Sequence, residues 1–293
     1  MALLNAFAEV SISASDGHPI ALATQLGKQA GLTITPEQLR DKAFAAVDTA
    51  ADLDRKWPAL AARKPKLVKV ILNDAANWAA RRADPRTFGV NGIDPKLLPV
   101  IVERAHAIGA RVAVHVTTAD DFAVAVRAGT DIMAHLPGTG IARGRILSDY
   151  RLSDEAVAEA ARRKVMVIPT VAVSRYYLQA KPADADAVRA NHRDNLSRLK
   201  AAGVPILTGS DLYDGSVLDE LEAMERLGVF TRAELLRMSG TDTARALFPG
   251  RDIGRFAEGA EASLVVLAAD PTLDLAALRR PALLVKQGEI LAR

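Results

Sequence analysis

The chain has 293 residues, 49% apolar and 25% charged, with a formal net charge of +3 and no cysteine. That balance describes one large globular domain, or one with a small appendage, and excludes disordered and fibrous classes. The lack of cysteine excludes a disulfide framework, thiolate metal sites and a cysteine nucleophile. No basic run is long enough for a nucleic-acid partner, and no apolar stretch reaches the roughly 18 residues of a membrane helix.

In chain order, Met1-Ala-Leu-Leu-Asn-Ala-Phe-Ala8 lacks the basic start and apolar core of a signal peptide, so a cytoplasmic location is expected. A strand is predicted over Phe7–Ser13, a helix over 36–50 and a strand over Leu67–Leu72. The middle of the chain then repeats one pattern. An alanine-rich helical stretch ends at a glycine or basic residue, and a short β-branched run follows. Helices are predicted over 94–108, 119–128, 153–163, 185–202, 217–227 and 231–247. Thr118-Ala-Asp-Asp121 has the spacing of a capping box for the helix over 119–128. The intervening runs, Val112–His115, Ile132–His135, Val165–Thr170 and Ile206–Asp211, each open on a continuous apolar stretch, as expected of parallel strands buried on both faces. About six βα units without a Gly-x-Gly-x-x-Gly turn favour a (β/α) barrel over a dinucleotide-binding sheet.

From residue 248 the pattern changes. Ser263–Leu267, Ala282–Lys286 and Glu289–Ala292 read as strands, the last two joined by a two-residue turn at Gln287-Gly288. The expected organisation is therefore a barrel over 1–247 and a small β element over 248–293.

A barrel presents its chemistry at the C-terminal ends of its strands. Here those ends carry His115, His135 and Asp211, and a lysine, Lys69, interrupts an apolar strand. Each has a plain structural alternative: a hydrogen-bonded histidine, a helix-capping aspartate, a lysine on an exposed edge. Together they place imidazole and carboxylate donors on one face, a set suited to zinc and similar divalent ions. An ammonium at strand depth is costly unless it loses its charge. Reaction with carbon dioxide would make it a carbamate, an anion with two donor oxygens.

These residues stand in motifs that resemble the amidohydrolase superfamily, in the branch near imidazolonepropionases and Xaa-Pro dipeptidases. The matching stretches run from Gly17-His18-Pro19 almost to the C-terminus. They include Val68-Lys69-Val-Ile, Val114-His115, Gly129-x-Asp131-x-x-x-His135, Gly203-Val-Pro-Ile-Leu-Thr-Gly209-Ser-Asp211 and Gly254-Arg-Phe-x-x-Gly259. The resemblance implies a (β/α)8 barrel hydrolysing a C–N bond, such as that of a dipeptide or cyclic amide, with metal-activated water. It implies a zinc-like ion held by Lys69 as its carbamate on the fourth strand and by His115 and His135 on the fifth and sixth. Asp211 at the end of the eighth would ligate metal and shuttle the proton. His18 lies in a loop that approaches the site in related proteins. Arg175 and Tyr176, with Tyr177, follow the seventh strand and could bind a substrate carboxylate, a helix-start or packing role being the alternative. His106 and His192 fall inside predicted helices and read as structural.

The chain also departs from that pattern. The family's first strand carries a His-x-His pair, yet no two of the five histidines here are separated by one residue, and Ser263 stands where the tail motif has aspartate. The chain is accordingly expected to begin near the third strand, without the first two strands and the N-terminal half of the small β domain. Such a barrel has open edges, which favour pairing with a second copy, and holds at most one metal well. Three functional readings follow: a hydrolase of a small-molecule substrate, a non-catalytic remnant of the same scaffold, and, disfavoured by the strand-end histidines, a doubly wound binding protein.

Overall fold

Successive residues of a strand point to opposite faces of its sheet, and here the two faces have separate tasks. The structure, a computed structural model, describes residues 11–142 and 144–292. Six parallel strands, β1 (Ser11–Ser13), β2 (Phe44–Ala46), β3 (Leu67–Ile71), β4 (Arg111–His115), β5 (Ile132–Ala134) and β6 (Met166–Ile168), lie in the order β2-β1-β3-β4-β5-β6. The last predicted barrel strand adds only a short pairing. Val167 N donates to Pro205 O at 2.9 Å, and Leu207 N donates to Val167 O at 2.8 Å. The helices are α1 (Ile20–Gln29), α2 (Pro36–Leu39), α3 (Ala50–Ala62), α4 (Trp78–Arg82), α5 (Leu98–Ala107), α6 (Ala119–Ala128), α7 (Asp154–Arg163), α8 (Ser174–Ala180), α9 (Ala185–Ala201), α10 (Val217–Leu227), α11 (Arg232–Arg237) and α12 (Thr243–Leu247). No helix among the described residues is long and apolar enough to cross a membrane.

One face of the sheet packs on helices. Val68, Val70, Val112, Val114, Met133 and Val167 join Leu98 and Ile101 of α5, Phe122 of α6, Leu196 and Leu199 of α9 and Met224 of α10 in one buried cluster. The other face runs in layers across the strands. Ser11, Lys69, Ala113, Ile132 and Met166 are successive cross-strand partners, and Ile71, His115, Ala134 and Ile168 form the next layer. Layering of this kind fills the interior of a barrel. Among the described residues no pairing joins β2 to the 205–207 stretch, so the wall stays open.

The predicted helix over 36–50 is corrected. It resolves into short α2, strand β2 and the start of α3. Asp41 takes a left-handed φ of 58° and its carboxylate accepts from Ala46 N at 2.9 Å, which turns the chain into β2. Thr49 and Asp52 form a capping box that opens α3 at Ala50. The predicted helix over 231–247 is interrupted by a wider turn at Met238–Asp242, next to which Thr243 Oγ1 accepts from Thr208 N at 2.9 Å. The remaining predicted helices match within about a turn. Of the predicted strand Phe7–Ser13, residues 7–10 lie outside the described residues, as does Met1–Ala8.

The C-terminal strands β7 (Leu264–Leu267), β8 (Pro281–Lys286) and β9 (Glu289–Ala292) form a separate antiparallel sheet. Gln287 and Gly288, with φ of 53° and 85°, make the predicted hairpin turn. Arg279 pairs with Asp219 and Glu222 of α10, and Leu275 is buried in the main cluster, so this element is docked on the barrel.

Candidate functional site

Lys69 and His115 sit on adjacent strands in adjacent layers, since Lys69 is paired with Ala113 and His115 with Ile71. His135 follows β5 directly and turns inward at φ 86°, while Asp211 follows the 205–207 stretch at φ 52°. Non-glycine residues in this region carry strain that persists only where the surroundings impose it, which is typical of functional sites. His18 reaches the same place from the loop after β1. Its N–H donates to Asn91 O at 2.9 Å, and Gly17 permits that approach, since a Cβ there would stand 2.5 Å from Asn91 O.

Five residues singled out in the sequence therefore converge. The His18 and His115 rings stack with centroids 5.1 Å apart, and His115 meets His135 edge-on at 4.5 Å. His135 Nε2 lies 3.8 Å from Asp211 Oδ2. Burial, followed by its neighbours' positive charge, holds His115 and His135 well below the usual imidazole range. Burial and then Lys69 bring His18 down to about 4. Burial also lowers Lys69 to about 8, against the opposing pull of Asp211. The Asp211 carboxyl is raised by desolvation, although its side chain is 55% exposed at the rim.

Arg175 and Tyr176 stand in the first turn of the helix after β6. Both lie in α8 and bond the carboxylate of Asp214, and Tyr213 N donates to Tyr176 Oη at 3.3 Å. They brace the loop that follows Asp211. Tyr177 bonds Ile141 O and Asp184. His106 pairs with Asp131 at 2.9 Å, away from the site, and buried His192 is bonded to the Gly138 backbone, so both are structural as read.

Sequence reasoning missed Thr170, whose Oγ1 lies 2.6 Å from His135 Nδ1. A threonine after a strand carries no marker of such a role. It also missed the second task of Asp121. Beyond capping α6, this carboxylate accepts from Asp74 N at 3.0 Å and Ala75 N at 2.6 Å, tying the loop after β3 to the loop after β4. Only the capping spacing was visible.

Among the described residues no three His, Cys, Asp or Glu side chains are grouped to hold a metal ion. The third donor here is a lysine, which as an ammonium is no ligand. The donor set nonetheless fits a divalent ion. The imidazoles are neutral at neutral pH, their ligating form. With a pKa of about 8, roughly a tenth of Lys69 is free amine at pH 7, the form that adds carbon dioxide.

The chain belongs to the Amidohydrolase family, whose sequence profile matches residues 22–291. An uncharacterized protein of Mycobacterium tuberculosis and another of Mycobacterium bovis are each 30% identical over 210 residues, covering 66% of this chain and 50% of the relative. The chain thus spans about half the length of these relatives. Among solved structures, Aspergillus niger ochratoxinase superposes with a TM-score of 0.70 at 20% identity, covering 97% of this chain and 64% of that one. A Xaa-Pro dipeptidase with methionine in its active site gives 0.70 at 19% identity, covering 97% and 66%. At such identities the likeness shows the fold, an open form of the amidohydrolase barrel.

Proposed function

We propose that this chain is a metal-dependent amidohydrolase that cleaves a C–N bond in a small molecule such as a dipeptide or cyclic amide. The observation that carries this reading is the convergence of Lys69, His115, His135 and Asp211 at the strand ends of an Amidohydrolase-family chain. His115, His135 and Lys69 would hold the ion, zinc by donor chemistry, with Asp211 beside them. The Lys69 ammonium loses one proton to give the free amine, and carbon dioxide adds to that amine with loss of a second, so that an anionic ligand would replace a buried cation. When bound, the ion supplies Lewis acidity, making a water more acidic and an amide carbonyl more electrophilic. The residues of the chain do the rest. Asp211 takes the proton of the attacking water and passes it to the leaving nitrogen, and its raised pKa suits both transfers. His18, stacked on His115, would contact the substrate from beside the cluster. The names of the ochratoxinase and Xaa-Pro dipeptidase neighbours support an amide substrate.

One observation favours a second reading, a metal-holding remnant without turnover: the chain lacks a pair of histidines separated by one residue. The test is a panel of Xaa-Pro dipeptides, N-acyl amino acids and cyclic amides offered to the purified chain with zinc and bicarbonate. The expected result is turnover that Asp211→Asn reduces by roughly 10²–10⁴-fold. Zinc-loaded chain silent on the whole panel would favour the remnant.

A further inference from the structure

Glu220 lies inside α10, between the core residues Leu221 and Met224 and the loop that follows β6, and it is fully buried. An apolar residue would fill such a helix position at lower cost, because a carboxyl group taken out of water must be compensated by specific partners. Its partners are backbone groups. Val171 N donates to Oε1 at 2.9 Å and Ala172 N to Oε2 at 2.8 Å. These two N–H groups open the turn that begins at Thr170, and Thr170 has φ 49° and ψ 41°. A β-branched residue adopts that conformation only when its surroundings dictate it. The consequence is directional: the turn brings Thr170 Oγ1 to 2.6 Å from His135 Nδ1, leaving Nε2 toward Asp211.

We propose that Glu220 is a positioning residue for His135, acting through the backbone of residues 170–172 and the Thr170 hydroxyl. It holds Nδ1 against the Thr170 hydroxyl and Nε2 toward the reaction site; with the ring proton on Nδ1, the Nε2 lone pair is left to that site. A histidine ligand held in one tautomer by an outer partner is the arrangement that metal sites require. This inference rests on the reading of His135 as a site residue. Its mechanism, however, is a property of the metal-free chain.

The experiment uses the full chain labelled with ¹⁵N-histidine and long-range ¹H–¹⁵N spectra at pH 8, where His135 is neutral. The wild type is expected to show His135 in the Nδ1–H form alone. In Glu220→Gln the amide nitrogen cannot accept from a backbone N–H, so the Nε2–H form is expected to appear. Thr170→Val should give the same mixture, the double variant should add nothing further, and Thr170→Ser should restore the single form. His106, paired with Asp131 at 2.9 Å and outside the cavity that Val171 and Ala172 line, should keep its signals in every variant and so report an intact fold. If Glu220→Gln does not fold, Glu220→Asp, which keeps the carboxyl group but withdraws it by one methylene, carries the same expectation. In parallel, zinc affinity by competition with a chelating dye should fall roughly 10–100-fold in Glu220→Gln. An unchanged His135 tautomer in the folded Glu220 variant, or in Thr170→Val, overturns the inference. A tautomer shift in a chain that binds no zinc supports the role of Glu220 and sinks the functional reading instead.

Discussion

The lowered pKa values of the buried histidines share one leading cause, the loss of water around a charge that is not replaced. His192 isolates the effect because it is outside the candidate site. Burial brings it from 6.5 to about 4. Between these values the unfolded chain binds the proton more readily, so stability is full above about 6.5 and is lost as pH falls toward 4. The shift is worth on the order of 3 kcal/mol. Urea titrations of wild type and His192→Gln from pH 7 to 4 should show the difference between them shrinking or reversing as the solution acidifies. A constant difference would mean that His192 does not carry this burden. The convergence of residues was legible where residue type and strand position coincide, as at Lys69, His115, His135 and Asp211. Roles were hidden where the partner is backbone. Glu220 reads in sequence as one more acidic residue on an amphipathic helix, and Thr170 as the end of a β-branched run. The bonds of Arg175 and Tyr176 to Asp214 were hidden because that partner lies 39 and 38 residues away in sequence.

Local backbone approach, rather than side-chain packing, sets the loops that carry the site. At Gly92 a Cβ would stand 2.6 Å from Asn73 N, 2.7 Å from Ile71 O and 2.9 Å from Leu72 Cα. These are backbone atoms at the end of β3 and cannot yield as a flexible side chain would. Gly92→Ala is expected to cost about 1–3 kcal/mol, read as a lowered denaturant midpoint with unchanged slope. A neutral result would show that the loop relaxes freely. Long helices with alanine-rich cores and glycine ends were readable because their apolar period is strong. Helix α6 ends at Gly129 in the left-handed conformation, as such a sequence should. Strand β2 was not readable, because Phe44-Ala-Ala46 suits a helix as well as a strand and only its pairing with β1 decides. The Thr49-Ala-Ala-Asp52 capping spacing was present in the sequence and marks where α3 starts.

At the scale of the molecule, parallel strands in a layered wall were predictable from the repeated βα pattern, and so was the C-terminal hairpin. The outward placement of β2 beside β1 was not, since sheet order follows long-range pairing. The open wall and the small sheet leave apolar surface in water. Val265, Val266, Ile290 and Leu291 are each exposed, Val265 by 52% and Ile290 by 53%. Unpaired edges and apolar faces of this kind promote association. We therefore propose that the chain self-associates. Sedimentation velocity across a concentration series should show species larger than one chain, reduced in a Val265→Lys/Ile290→Lys variant. A single monomeric species at all concentrations would oppose this. Lys69, His115 and His135 are proposed to form a metal site within this chain. Elemental analysis of protein expressed with bicarbonate and zinc decides this. About one zinc-like ion per wild-type chain is expected, with a near-complete loss in Lys69→Ala and His115→Ala. Metal-free wild type, or a metal content unchanged by those substitutions, would contradict it.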